Sequence, residues 1–166
     1  MKTITHLLPV ILAALLVSAV LGACSPRTAS PSPSGLDQNR QSAQQTLLDF
    51  LSALHSGQYE TAASLYGGTY DVMHDHNPLL DPSDHAALLR NACTINGAAC
   101  LEVLAIESAP DDEGTFVFKV QFQQEDGSLF VLDPCINSGS GSPSVSTFLF
   151  HVSPDLLVLD MPPYLP

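Results

Sequence analysis

The apolar pattern of this chain changes period once, and that change limits what it can build. From Gln41 to Gly57, "QSAQQTLLDFLSALHSG" places Ala43, Leu47, Leu51 and Leu54 at helical spacing, with Leu48 and Phe50 widening the stripe. Residues three and four apart share one helix face, so the spacing predicts an amphipathic helix that Gly57 stops. "QYETAASLYGG" repeats the pattern on a shorter scale, with Tyr59, Ala62, Ala63 and Tyr66 on one side and Gly67-Gly68 as the break. Beyond Cys100 the period is two. In "TFVFKVQFQQ", Phe116, Phe118, Val120 and Phe122 alternate with Lys119, Gln121 and Gln123, and "LEVLAIESA" precedes it across the acidic turn "PDDEG". Strand, turn and strand predict a hairpin.

The segments between and after these follow from their punctuation. "TYDVMHDHNPLL" holds no sustained period and is expected to be loop with at most one short strand, whereas "DPSDHAALLRNAC" offers Asp81 as N-cap, Pro82 in the first turn and Asp84 nearby, which predicts a third helix. "EDG" turns the chain into "SLFVL". A Gly/Ser-rich loop, "NSGSGSPS", leads to "VSTFLFHV", and "SPD" turns into "LLVLD". Helices first and antiparallel strands after define an α+β fold class, with the N-terminal helices packed in the concave face of a curved sheet.

"TLLDFLSALHSGQYETAASLY" resembles the opening of the nuclear-transport-factor-2-like, cystatin-like cone superfamily. Many exported members begin with a helix, a Gly-x-Tyr break and an alanine-containing second helix, and end with strands and a Pro-rich close similar to "LLVLDMPPYLP" here. The resemblance implies a cone over residues 41–166. It also implies an internal pocket, in which ketosteroid isomerases and polyketide cyclases place Asp, Tyr or His. On that ground Tyr66, Tyr70, Asp71 and His74 are the pocket candidates. No catalytic motif matches residue by residue, so no catalytic residue is assigned. Two readings stay open: a non-enzymatic module that binds a small ligand or a protein partner or serves a structural role, and a small cone-pocket enzyme of the isomerase or cyclase type. A pocket filled by Phe and Leu marks the first, and a buried, pKa-shifted Asp or His beside a tyrosine marks the second.

The N-terminus speaks to location. After Met1-Lys2, "LLPVILAALLVSAVL" runs from Leu7 to Leu21 without a charge. At 1.5 Å per residue, a helix of that length covers about 22 Å, short of a hydrocarbon core of about 30 Å. A secretory signal fits better. Leu21-Gly22-Ala23-Cys24 resembles the bacterial lipobox, which implies cleavage before Cys24 and lipidation of its sulfur. Each buried methylene contributes about 0.8 kcal/mol, so two or more acyl chains hold a protein stably. Residues 1–23 are therefore read as a lipoprotein signal peptide and residues 24–40 as the lipidated Cys and a Ser/Pro-rich tether. That composition, "SPRTASPSPSGLDQ", buries too little surface to offset chain ordering. The expected location is the extracytoplasmic face of the cell membrane, with the lipid anchor as the membrane contact.

Charge removes one class of partner. Without residues 1–23 the chain keeps Arg27, Arg40, Arg90 and Lys119 against seventeen acidic residues. No basic stripe exists to neutralise phosphates, so nucleic acid is not expected as a partner. Oligomeric state and ligand are not legible, and no cofactor is called for.

The remaining cysteines are Cys93, Cys100 and Cys135, enough for one bridge and one leftover thiol. If strands 101–109, 115–124 and 128–132 form a meander, Cys100 and Cys135 stand about 25 Å apart at 3.3 Å per residue, beyond disulfide reach. Cys93 and Cys100 bracket "TINGAA", whose Asn-Gly favours a turn. Cys93–Cys100 is the preferred pairing, with Cys93–Cys135 the rival if the loop after Pro134 folds back.

"HDHNPLLDPSDH" gathers His74, Asp75, His76, Asp81, Asp84 and His85. The set suits a divalent metal in residue type but not in spacing. His74 and His76 share a side only on a strand, and Asp81 and Asp84 serve a helix start. It is read as a solvated loop with no metal. No "GxSxG" elbow supports a hydrolase.

Overall fold

The computed structural model describes residues 35–133 and 143–165. Four helices, α1 (Gly35–His55), α2 (Tyr59–Leu65), α3 (Asp71–His76) and α4 (His85–Thr94), precede an antiparallel sheet of β1 (Glu102–Ser108), β2 (Phe116–Gln123) and β3 (Phe148–Val152). The α+β layout expected from the sequence is the observed one. The sheet is open, in the order β1-β2-β3.

The long helix follows its apolar stripe: Ala43, Leu47, Phe50, Leu51, Ala53 and Leu54 are buried. It packs against α2, α4 and all three strands. Gly57 ends it with φ of +74°, a conformation that costs a side-chain-bearing residue about 1 kcal/mol or more. The start differs from expectation. α1 begins at Gly35, inside the stretch 24–40 assigned to the tether, because no proline lies between Pro33 and Pro78 and Asp37 sits favourably in the first turn. Arg40 belongs to the folded part. Its guanidinium donates to Asp111 Oδ2 at 2.7 Å and to the Ala109 carbonyl at 3.3 Å, and lies 5.7 Å from the Phe116 ring centroid, fastening α1 to the β1–β2 turn.

That turn is the predicted acidic one. Glu113 and Gly114 both have positive φ, 45° and 85°, between the paired residues Asp112 and Thr115. Two left-handed residues in succession are what a two-residue type I′ hairpin turn requires. β2 carries the predicted alternation, with Phe118, Val120 and Phe122 fully buried and Lys119 exposed. Leu104 interrupts the β1–β2 register as an extra residue, which bends the edge strand.

Three local expectations change. "DVMHDH" forms α3 instead of loop. The asparagine amides hold it: Asn77 Nδ2 donates to the Met73 carbonyl at 2.7 Å and to Asn96 Oδ1 at 2.9 Å, and Asn91 Nδ2 donates to Asn77 Oδ1 at 2.8 Å. α4 starts at His85, and its N-cap is Asp84, which accepts from the Ala87 amide at 3.0 Å. Asp81 instead closes a turn onto Ser83. Finally, 128–132 is no strand. Leu129 bridges Gln123 and Leu132 bridges Val145, while β3 takes the ladder beside β2. β3 directs Phe148, Phe150 and Val152 inward, whereas Leu129 and Val131 remain exposed, so the free edge of β2 goes to the strand that buries more. "LLVLD" likewise contributes single bridges, with Val158 linking Tyr66 and Val152.

Cys93 and Cys100 form the disulfide, with α-carbons 5.5 Å apart. The Asn96-Gly97 turn between them has Gly97 at φ +83°. The C-terminal segment straps this loop down: the Ala99 amide donates to the Pro163 carbonyl at 2.8 Å and the Leu165 amide to the Gly97 carbonyl at 2.7 Å. The strand assumed at 128–132 does not form, yet the preferred pairing does. Cys135, Cys24 and the apolar run of residues 7–21 lie outside the described residues.

Candidate functional site

The four pocket candidates fall into two pairs. Tyr66 and Tyr70 come together. Tyr66 follows α2, where its extended backbone turns the chain and its bridge to Val158 fixes the position. Its ring stacks on Phe50 with centroids 5.6 Å apart and meets the Tyr70 ring edge-on at 5.1 Å. The Tyr66 hydroxyl donates to the Thr69 carbonyl at 3.1 Å. Asp71 and His74 stand apart from this stack: Asp71 is exposed in the first turn of α3, His74 is half-buried on the same helix, and no hydrogen bond joins either to a phenol among the described residues.

Residues from distant positions fill the places sequence reasoning gave to Asp71 and His74. His85, first residue of α4, stacks on Tyr70 at 3.9 Å with planes 9° apart. Asp160 and Tyr164, from the C-terminal segment, lie close enough to Tyr66 to act on it electrostatically. Burial first, then Tyr70, Asp160 and Tyr164, push the Tyr66 phenol up to about 12. Burial also raises Tyr70 and Tyr164. A phenol held this way stays protonated and acts as a donor, not as a base. Asp160 accepts from the His151 amide at 2.6 Å and faces His151 Nδ1 at 2.8 Å. Asp160 and Tyr164 carry no local motif that singles them out, and His85 stood out only within "HDHNPLLDPSDH"; tertiary packing sets all three beside the phenols.

The cluster is closed. A side chain on Gly68 would collide with the Leu159 carbonyl and the Tyr66 hydroxyl, so backbone and ring already fill that corner. The interior beyond it is filled as well. Phe50, Phe118, Phe122, Phe150, Leu47 and Leu54 are each at most 1% exposed, and no charged or polar residue is buried among the described residues.

Open space lies elsewhere. A cavity of about 550 Å³ sits against the disulfide, floored by Ala98, Ala99 and Phe130 and rimmed by Glu125 and Asp126. The Ser128 side chain and amide hold the Asp126 carboxyl below the usual range, so it stays charged. An apolar floor under an acidic rim suits a ligand that is apolar on one side and cationic on the other. Neither Cys93 nor Phe130 was singled out as cavity lining from the sequence, since the cavity exists only once the C-terminal strap and the turn after β2 meet.

Among the described residues, no three His, Cys, Asp or Glu side chains converge into a metal-holding group. His76 meets Tyr164 edge-on at 6.4 Å and His85 stacks on Tyr70, so two of the three histidines of "HDHNPLLDPSDH" are engaged with aromatic rings. No described helix is long and apolar enough to cross a membrane. No protein-family model, curated protein or solved structure matches this chain.

Proposed function

We propose that this chain is an exported lipoprotein held at the extracytoplasmic face of the cell membrane through Cys24, and that its folded domain, of the cystatin-like cone type, is a non-enzymatic module that binds a ligand or partner. Leu21-Gly22-Ala23-Cys24 after an uncharged fifteen-residue run supports the anchor. Support for the cone is coarser: helices lead, and α1 lies against an antiparallel sheet bent by the extra residue Leu104.

One observation carries the module reading. Phe50, Phe118, Phe122 and Phe150 fill the interior where α1 meets the sheet, each at most 1% exposed, and a Phe-filled interior is the mark of the binding module. General acid–base work needs a titratable group within hydrogen-bond reach of a bound substrate. Here the phenols face packed rings, and the cavity of about 550 Å³ against the disulfide is lined by none of Tyr66, Tyr70, Asp71 and His74.

Two measurements test the reading. Cys24→Ser is expected to release the protein from membranes or leave the signal uncleaved, because the acyl attachment atom is gone. A mutant that stays membrane-bound, cleaved and salt-resistant refutes the anchor. Native mass spectrometry of the protein from its own host is expected to show a non-covalent companion. An isomerase or cyclase activity that falls with Tyr66→Phe would refute the module reading.

A further inference from the structure

The cavity beside the disulfide is one part of a longer groove. It shares Leu101, Gln124 and Glu125 with a depression of about 320 Å³ at the end of the sheet. That depression in turn shares His55 and Glu102 with a third of about 360 Å³ between α1 and the start of β1. The three join around the end of the sheet where β1 begins and β2 finishes. His55 Nδ1 lies 3.2 Å from the Cys100 carbonyl oxygen, holding the end of α1 to the groove.

The groove has one sign of charge. Asp49, Glu102, Glu125 and Asp126 line it, with no lysine or arginine among its described walls. Neutral amides hold two of these carboxylates: Gln45 Nε2 donates to Asp49 at 2.8 Å and Gln123 Nε2 to Glu102 at 2.6 Å, so their charges are oriented and not cancelled. The described cations stand elsewhere. Arg40 pairs with Asp111, Arg90 lies over the Tyr59 ring, and Lys119 is register partner to Glu107. The C-terminal end of α1 borders the groove as well and adds the negative pole of the helix dipole.

We propose that this groove binds an extended basic segment of a partner protein, an inference that rests on the binding-module reading above. Its apolar floor, Ala98, Ala99 and Phe130, takes apolar side chains, and its carboxylates take the lysines or arginines between them. The outer edge of β1, which starts at Glu102, pairs with no described strand and offers main-chain groups to such a segment. A second copy of the chain is disfavoured as occupant by like charge, at a formal net −12.

The test uses the full chain in a non-ionic detergent and fluorescence anisotropy with two labelled peptides, one alternating Arg and Val, the other Glu and Val. Binding of the Arg peptide that weakens with salt is expected, with none of the Glu peptide. Glu102→Gln/Glu125→Gln/Asp126→Asn is expected to weaken it about tenfold, each rim charge contributing a factor of a few. Glu60→Gln/Asp75→Asn/Asp155→Asn removes the same charge from exposed sites off the groove and is expected to leave binding unchanged. Equal losses in both triple variants, failure of the Arg peptide to bind, or its full displacement by equimolar spermidine would overturn the proposal. Wild-type binding that the groove triple leaves intact refutes this groove while the module reading stands. A chain that binds neither peptide and carries no companion from its host removes the module reading too.

Discussion

Tyr70 stacks on His85 with ring centroids 3.9 Å apart, and its hydroxyl is buried with no hydrogen-bond partner among the described residues. The ring contributes packing while the oxygen contributes a desolvation cost. A buried hydroxyl without a partner costs about 1–3 kcal/mol. Tyr70→Phe keeps the ring and removes the cost, so it is expected to raise stability by up to about 1 kcal/mol in urea denaturation. Tyr66→Phe is the contrast: it loses the bond to the Thr69 carbonyl and is expected to cost about 1 kcal/mol. A loss of stability from both changes would show that the Tyr70 oxygen does find a partner.

The raised phenols predict an alkaline limit. Tyr66 titrates near 10 when unfolded and is pushed up to about 12 in the fold, so between those values the folded state binds the extra proton. This contribution to stability is therefore full below pH about 10 and is lost as pH rises toward about 12. Tyr70 and Tyr164 shift in the same direction and add to the slope. Denaturation midpoints across this range, read beside phenolate absorbance, check it. A stability that stays flat through the interval in wild type would refute the burial argument.

The helix start of α4 separates two neighbouring aspartates. Asp84→Ala removes the acceptor for the Ala87 amide and is expected to cost about 1 kcal/mol. Asp81→Ala opens only an exposed turn onto Ser83 and is expected to stay within about 0.5 kcal/mol. Chemical denaturation of the two single variants orders them, and a larger loss from Asp81 would restore the earlier N-cap assignment.

The disulfide closes a short loop at sequence separation 7. The chain-entropy relation gives about 2–3 kcal/mol for a loop of that size. Non-reducing peptide mapping is expected to return a Cys93–Cys100 peptide, and Cys93→Ala/Cys100→Ala to lower stability by about that amount. A Cys93–Cys135 peptide would contradict the pairing.

Sequence by itself determined the elements whose signals are local. The 3.6-residue stripe from Ala43 to Leu54 forms α1, the alternation from Phe116 to Phe122 forms β2, and the acidic turn between the strands is present, because periodicity and turn chemistry act within a few residues. The Asn96-Gly97 turn and the pairing of Cys93 with Cys100 were legible for the same reason. What only tertiary structure decided depends on contacts between distant segments. α3 forms because Asn77 bonds to Asn91 and Asn96 on the neighbouring segment, not because its six residues have a helical period. Asp71 and His74 were named from proximity in sequence to Tyr66 and Tyr70, yet among the described residues neither bonds to a phenol, whereas His85 stacks on Tyr70 and Asp160 and Tyr164 act on Tyr66. The strand expected at 128–132 lost its position to β3 because one free edge of β2 was available and β3 buries more apolar surface there. The acidic groove was invisible in the sequence because its walls come from α1, the disulfide loop, the end of β2 and the C-terminal strap, and no linear spacing connects them.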